Sequence, residues 1–179
     1  MRSPIFLNVL YGIILLSTTL VSCNSAPSMP IHLTSFSEND VSVSVDLVQP
    51  PTGNYVLSAT FMPPDGYHLY SKDLPIHGIN GIGRPTLLEL TTDSQMKALG
   101  RLAENIPAEN FYFEHNEFMV YPLGAVTLSL PIELPSVHTW VTDELKITFM
   151  ACSSTQCKPP VEGKIVSIRI PGADMLDKQ

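Results

Sequence analysis

Short alternating segments, separated by proline and glycine, are the feature that most restricts the fold of this chain. Residues 41–48 alternate apolar and polar side chains, as a strand with one buried face does, and residues 55–61 repeat the pattern. The segments that follow them, residues 50–53 (PPTG) and 63–66 (PPDG), are strong turn signals. The 16 prolines among 179 residues argue against a helical bundle, because proline interrupts helix interiors.

Similar runs continue to the end of the sequence. Strands are predicted at residues 68–70, 85–90, 118–121, 126–134, 145–151 and 165–170. Residues 93–102 instead have the apolar spacing of one helical turn. Seven or eight short strands with frequent turns are typical of an antiparallel β-sandwich. We therefore predict an all-β protein with a single sandwich domain, which also agrees with its length.

The first residues have the pattern of an export signal. Arg2 precedes an apolar stretch over residues 5–20, which ends in the sequence Leu-Val-Ser-Cys with its cysteine at Cys23. This order is that of a bacterial lipobox, whose cysteine is lipidated and becomes the mature N-terminus. The alternative is an ordinary export signal followed by a chance cysteine.

The lipobox divides the chain into four parts. We expect a lipoprotein signal peptide over residues 1–22, a tether over residues 23–39, the sandwich over residues 40–171 and a tail over residues 172–179. The lipid on Cys23 would anchor the protein to a membrane in the bacterial periplasm. Position 24 is asparagine and lacks the aspartate that retains lipoproteins at the inner membrane, which favours the outer membrane.

The other two cysteines, Cys152 and Cys157, are separated by four residues and lie between two predicted strands. Four-residue loops are common in β-hairpins. Opposite residues of an antiparallel pair have Cα atoms about 4.5–5.5 Å apart, a separation that a disulfide tolerates. An exported protein also meets an oxidising compartment. The spacing therefore permits a disulfide between them.

The residues alone allow three interpretations of this pair. In a binding or scaffold module the disulfide would be purely structural, and it would close a loop of only six residues, which stabilises a fold by about 2 kcal/mol. A redox centre is favoured by Lys158, whose charge would promote a thiolate at Cys157, and by the stiff sequence Pro159-Pro160 that follows. Binding of Cu(I) would use both thiolates together with Met150, because Cu(I) prefers soft ligands.

Four motifs resemble the N-terminal periplasmic domain of DsbD, the transmembrane thiol:disulfide interchange protein. They are residues 66–71 (GYHLYS), 83–86 (GRPT), 120–128 (VY leading into VTL) and 151–160 (AC, four residues, CKPP). The resemblance covers about residues 40–171, and the last motif is the most specific. It implies an immunoglobulin-like antiparallel β-sandwich with its two cysteines on neighbouring strands.

The resemblance also implies an activity and roles for individual residues. It implies thiol:disulfide exchange of the protein-disulfide reductase type, in which Cys157 forms a mixed disulfide with the partner and Cys152 resolves it. The family covers its cysteines with a loop that bears aromatic residues. Here Tyr112 or Phe113 is the candidate cover, and packing at the core or rim is the alternative.

Partners follow from the same resemblance. The family's domain receives electrons from a membrane-embedded partner and passes them to periplasmic thioredoxin-fold proteins. In DsbD the domain is fused to membrane helices and to a C-terminal thioredoxin-like domain, whereas this sequence ends at Gln179. We therefore expect a stand-alone lipoprotein whose membrane electron donor is a separate protein.

No cofactor, metal site or nucleic-acid partner is predicted. The five histidines do not have the spacing of metal ligands, and His68, inside a matched strand motif, is expected to serve packing. Residues 78–83 (GINGIG) lack the preceding strand and following helix of a phosphate-binding loop, so their glycines are expected to serve turns. The net charge of −7 argues against nucleic acid.

Overall fold

The computed structural model describes residues 29–51, 53–113 and 115–176, and most of its regular structure is β-strand. The predicted signal peptide and Cys23 lie outside these ranges. The elements, in chain order, are β1 (Ile31–Glu38), β2 (Val41–Val48), β3 (Tyr55–Met62), β4 (His68–Leu69), β5 (Leu87–Leu90), β6 (Lys97–Ala98), β7 (Ala103–Glu104), β8 (Glu109–Phe113), β9 (Asn116–Val120), β10 (Val126–Glu133), β11 (Trp140–Phe149), β12 (Ala151–Cys152), β13 (Val161–Pro171) and α1 (Ala173–Leu176).

Two antiparallel sheets pack face to face. The larger has the strand order β1-β2-β3-β10-β6, with β7 also paired to β10, and the smaller has the order β13-β11-β5. Apolar residues alternate along the strands, so each sheet turns one buried face to the other. Phe61 of β3 meets Phe149 of β11 in this core, with ring centroids 5.9 Å apart. The predicted all-β antiparallel β-sandwich is confirmed.

The tether predicted over residues 23–39 is too long, because residues 31–38 form β1. This strand pairs with β2 from Ile31 opposite Leu47 to Glu38 opposite Val41. The turn between them uses Asn39 and Asp40, both at positive φ (50° and 62°). That conformation is the one a two-residue type I′ hairpin turn requires, and asparagine and aspartate tolerate it better than most residues.

The helical turn predicted within residues 93–102 is also wrong. The segment forms turns and the short strand β6, and a short helix, α1, lies instead in the predicted tail. The buried carboxylate of Asp143 explains the turn, because its Oδ2 accepts hydrogen bonds from the Gln95 backbone N–H (2.9 Å) and from Ser94 Oγ (3.1 Å). Those contacts hold the chain in a tight loop and bury Met96 without a helix.

Two small pairs of strands meet at one edge of the sandwich. β12 pairs with β4, which sets Ala151 opposite Leu69 and Cys152 opposite His68. The β8–β9 hairpin joins the same place, because Leu69 O accepts a hydrogen bond from the Tyr121 N–H (2.8 Å). Segments distant in sequence are therefore brought together around Cys152.

Candidate functional site

Cys152 and Cys157 form a disulfide in the connection between β11 and β13. Their Cα atoms are 4.0 Å apart, and the two residues face each other as an antiparallel bridge. The Ser153 N–H donates to Gln156 O (2.8 Å), and the Lys158 N–H donates to Ala151 O (2.8 Å). The four-residue loop expected from the spacing is therefore a closed turn.

The two sulfurs have unequal surroundings. Cys152 is 2% exposed and belongs to a small apolar cluster with Tyr70 and Phe118, whereas Cys157 is exposed. The Tyr70 hydroxyl donates a hydrogen bond of 3.2 Å to Cys152 Sγ. Burial raises the pKa of Tyr70, so its hydroxyl remains protonated and able to donate. One sulfur is thus accessible from outside, while the other is sheltered and hydrogen-bonded.

A cleft of about 180 Å³ opens beside the disulfide. Its described lining residues include no aspartate, glutamate, lysine or arginine; they are His68, Tyr70, Ile82, Phe111, Phe113 and residues 152–157. An uncharged cleft next to an exposed sulfur suits contact with another protein more than contact with an ion.

The β8–β9 hairpin supplies the aromatic wall of the cleft. Phe111 and Phe113 lie on the same side of β8, because side chains alternate along a strand, and both line the cleft. Tyr112 lies on the opposite side, is 72% exposed and donates to Glu117 Oε1 (3.0 Å). Of the two candidate covers, Phe113 lies beside the disulfide and Tyr112 does not. Phe111 was not singled out by the sequence, although its alternation with Phe113 could have indicated it.

His68 packs as expected, but it also lines the cleft. It is 7% exposed and lies between Phe111 and Tyr70, with ring centroids at 4.9 and 5.5 Å. Its Nε2 is buried and has no hydrogen-bond partner within the described ranges. Burial lowers the pKa of His68, because the charged imidazolium is poorly solvated there. The sequence placed this residue in a motif but gave no sign that it faces the disulfide.

Lys158 does not support a thiolate in the way the sequence suggested. Its ammonium lies 2.5 Å from Asp40 Oδ2 and 5.2 Å from the centroid of the Tyr67 ring. The hydrogen bond to Asp40 raises the pKa of Lys158, so its charge is matched by a carboxylate and the side chain does not line the cleft. Next to it, Asn39 Nδ2 donates to Pro159 O (2.9 Å), which ties the β1–β2 turn to the chain after Cys157.

The glycine-rich loop packs around Tyr70. Gly83 has φ = 80°, and a Cβ added there would approach the Tyr70 ring to 2.9 Å, so only glycine fits. Arg84 holds the loop by donating to the carbonyl oxygens of Gly81 (3.1 Å) and Gly83 (2.6 Å). Thr86 Oγ1 donates to Tyr70 O (2.7 Å). The motif at residues 83–86 therefore positions the tyrosine that contacts Cys152.

Two further observations apply to the described part of the chain. No group of three or more histidine, cysteine, aspartate or glutamate side chains is arranged there to hold a metal ion. No helix within residues 29–51, 53–113 and 115–176 is long and apolar enough to cross a membrane.

The fold and the site together define an all-β sandwich with a half-sheltered disulfide at one edge. No family model and no curated protein matches the sequence. The chain is similar in structure to the N-terminal domain of DsbD from Neisseria meningitidis in the reduced form, with 17% identity, a TM-score of 0.42, and coverage of 65% of this chain and 76% of that one. It is also similar to the N-terminal periplasmic domain of ScsB from Proteus mirabilis, with 12% identity and a TM-score of 0.46, over 84% of this chain and 57% of that one. The first of these neighbours is the N-terminal domain of the family that the sequence motifs resemble.

Proposed function

We propose that this protein exchanges thiols and disulfides with partner proteins through Cys152 and Cys157. The observation that carries the proposal is the unequal exposure of the two cysteines. An incoming thiolate needs one accessible sulfur, and Cys157 is exposed. The leaving sulfur needs stabilisation as a thiolate, and Cys152 accepts a hydrogen bond from the Tyr70 hydroxyl.

The exchange proceeds through a mixed disulfide. In the oxidised protein, a partner thiolate attacks Cys157 Sγ, the bond between the two sulfurs breaks, and Cys152 leaves as a thiolate. A second partner thiol then displaces Cys157, so the protein gains two electrons and two protons. In the other direction, Cys157 attacks a partner disulfide and Cys152 resolves the mixed disulfide. The same two sulfurs therefore serve both half-reactions.

The location and partners are part of the proposal. One structural neighbour is a periplasmic domain, which supports a periplasmic location. The partners are thioredoxin-fold periplasmic proteins and a membrane electron donor, and a lipid on Cys23 holds the protein at a membrane, with the outer membrane favoured. Mass spectrometry of the mature N-terminus tests the anchor: acylated Cys23 is expected, and an unmodified terminus at another residue would contradict it.

The reduction potential of the Cys152/Cys157 pair tests the exchange itself. Structural disulfides have potentials below about −300 mV, whereas exchange-active ones lie higher. We expect a value above about −300 mV in glutathione or dithiothreitol redox buffers, and oxidation or reduction by a thioredoxin-fold protein. A lower potential together with no exchange would show that the bond is structural.

Trapping variants test the roles of the two cysteines. Cys152→Ala removes the resolving thiol, so mixed disulfides through Cys157 should accumulate in periplasmic extracts and be released by reductant. Cys157→Ala is the matched control and should trap few partners, because Cys152 is buried. Equal trapping by both variants, or trapping by Cys157→Ala alone, would overturn the assignment.

A further inference from the structure

We propose that His68 accepts the proton of the Cys152 thiol when that sulfur resolves a mixed disulfide. The inference rests on the proposed exchange function and adds the group that moves the proton. It starts from one unexplained atom, the buried Nε2 of His68, which has no hydrogen-bond partner in the described residues. Buried polar atoms are paired in the large majority of cases, so an unpaired one in a cleft calls for a functional reason.

The register of two short strands sets His68 beside Cys152. β4 and β12 are antiparallel, and His68 is the residue directly opposite Cys152. Side chains of opposite residues project from the same face with Cβ atoms about 4.5–5.5 Å apart. Both residues line the same cleft. The aromatic rings of Phe111 and Tyr70 pack against the imidazole and hold it in place.

The missing partner of Nε2 exists only in the reduced protein. A disulfide carries no hydrogen atom, so Cys152 cannot donate in the oxidised state that the structure represents. On reduction Cys152 becomes a thiol, which is a hydrogen-bond donor. The imidazole then has a donor in the position that the register gives to Cys152.

The other titratable groups in the cleft cannot take this role. Among the described residues, the lining offers only Tyr70 and the two cysteines besides His68, with no carboxylate, lysine or arginine. Tyr70 stays protonated because burial raises its pKa, so it can stabilise a thiolate but cannot accept its proton. His68 has its pKa lowered by burial and is therefore neutral near pH 7, with one ring nitrogen free to accept a proton.

The step balances without any further reactant. Cys157 is joined to the partner by a disulfide, and Cys152 carries a thiol. The proton passes from Cys152 Sγ to His68 Nε2, the Cys152 thiolate attacks Cys157 Sγ, and the bond from Cys157 to the partner breaks. The departing partner thiolate takes the proton from His68, which returns to its neutral form. Two electrons have passed from the protein to the partner disulfide.

Reaction of the purified, reduced protein with the chromogenic disulfide 5,5′-dithiobis(2-nitrobenzoate) separates the two steps. Attack by Cys157 releases one coloured thiolate, and resolution by Cys152 releases a second. The coloured product leaves as a thiolate without needing a proton, so the second phase reports the deprotonation of Cys152 by His68. Cys152→Ala identifies the first phase, because it cannot show the second.

Two variants remove the base and keep other properties of the side chain. His68→Phe retains aromatic packing, and His68→Gln retains a polar group. We expect the first phase to stay within about threefold of wild type and the second phase to slow at least about tenfold at pH 7 in both, a modest value for general base catalysis. In these variants the second-phase rate should rise with pH over a wider range than in wild type. Without His68, the rate depends on the ionisation of the Cys152 thiol itself. In a third variant, His68→Ala, added imidazole should restore part of the second phase.

The outcomes separate this inference from the proposed function. An unchanged second phase in a folded variant, or equal slowing of both phases, would overturn the role of His68 and leave packing as its purpose. A wild-type protein that shows no second phase would instead contradict the exchange function. If circular dichroism shows that His68→Phe is unfolded, His68→Gln decides the question in the same way.

Discussion

At the scale of the residue, the site depends on a small number of hydrogen bonds and on burial. Cys152 lies opposite His68 and accepts a hydrogen bond from the Tyr70 hydroxyl, while Cys157 is exposed. The spacing of the cysteines permits their pairing, because four residues suit a closed turn. Nothing local predicted the neighbours of Cys152, since His68 and Tyr70 reach it only through the pairing of β4 with β12, more than 80 residues apart in the sequence.

Tyr70→Phe should slow reduction of the disulfide. The variant loses the hydrogen bond to Cys152 Sγ, and hydrogen bonds to charged groups contribute about 1.5–3 kcal/mol, so we expect a rate lower by at least about tenfold. Stopped-flow measurement with dithiothreitol reports the rate. Tyr112→Phe is the matched control, because Tyr112 is exposed and hydrogen-bonded only to Glu117 among the described residues. Equal rates in the two variants would show that the Tyr70 hydroxyl is not needed.

His68 should make stability depend on pH. Because burial lowers its pKa in the folded state, the unfolded chain takes up a proton below about pH 6.5 more readily than the folded chain does. The free energy of unfolding is therefore expected to be fully retained above about pH 6.5 and to decrease as the pH falls below it. Urea unfolding of wild type and His68→Phe from pH 4.5 to 7.5 isolates this contribution, since the carboxylates are the same in both. Parallel curves for the two proteins would contradict it.

At the scale of the element, strands were predicted wherever apolar and polar residues alternate over several positions. β2, β3 and β10 follow this rule closely. β1 was not predicted, because its sequence, IHLTSFSE, is mostly polar. Its residues are only half-buried or exposed at the edge of the sheet. The helical spacing of residues 93–102 gave a wrong prediction, because the carboxylate of Asp143, on a distant strand, sets the shape of this segment.

The β8–β9 hairpin should control access to the disulfide. Phe113→Ala removes a side chain that lines the cleft, so the disulfide should be reduced several-fold faster by a small thiol such as dithiothreitol. Tyr112→Ala is the matched control on the same strand and should leave the rate unchanged, because its side chain lies on the other side. Faster reduction in the Tyr112 variant, or no change in the Phe113 variant, would contradict the arrangement of the hairpin.

At the scale of the whole molecule, the core does not depend on the disulfide. It is built from the facing sides of two sheets, whereas Cys152 lies in a separate small cluster at one edge and Cys157 is exposed. A carrier that cycles between disulfide and dithiol has to stay folded in both states, and this separation allows it. The sequence predicted the core from alternation alone, whereas the position of the cluster follows from long-range pairing.

Reduction should therefore weaken the fold without unfolding it. The disulfide closes a loop of about six residues, so its loss should lower the free energy of unfolding by about 2 kcal/mol. In urea this corresponds to a midpoint lower by about 1 M. Equilibrium unfolding with and without reductant measures the shift, and the double variant Cys152→Ala/Cys157→Ala should match the reduced protein. Loss of cooperative unfolding on reduction would show that the disulfide is a structural necessity.

The hydrogen bond from Asn39 to Pro159 also relates the position of the disulfide to the two ends of β1. It fixes the chain next to Cys157 at the turn end of β1, while the chain enters β1 at Ile31, the opposite end of the strand. Eight residues of strand at about 3.3 Å each separate the two ends by roughly 25 Å. Attachment to a membrane through the chain before Ile31, as proposed, would therefore leave Cys157 about one strand length from the start of β1.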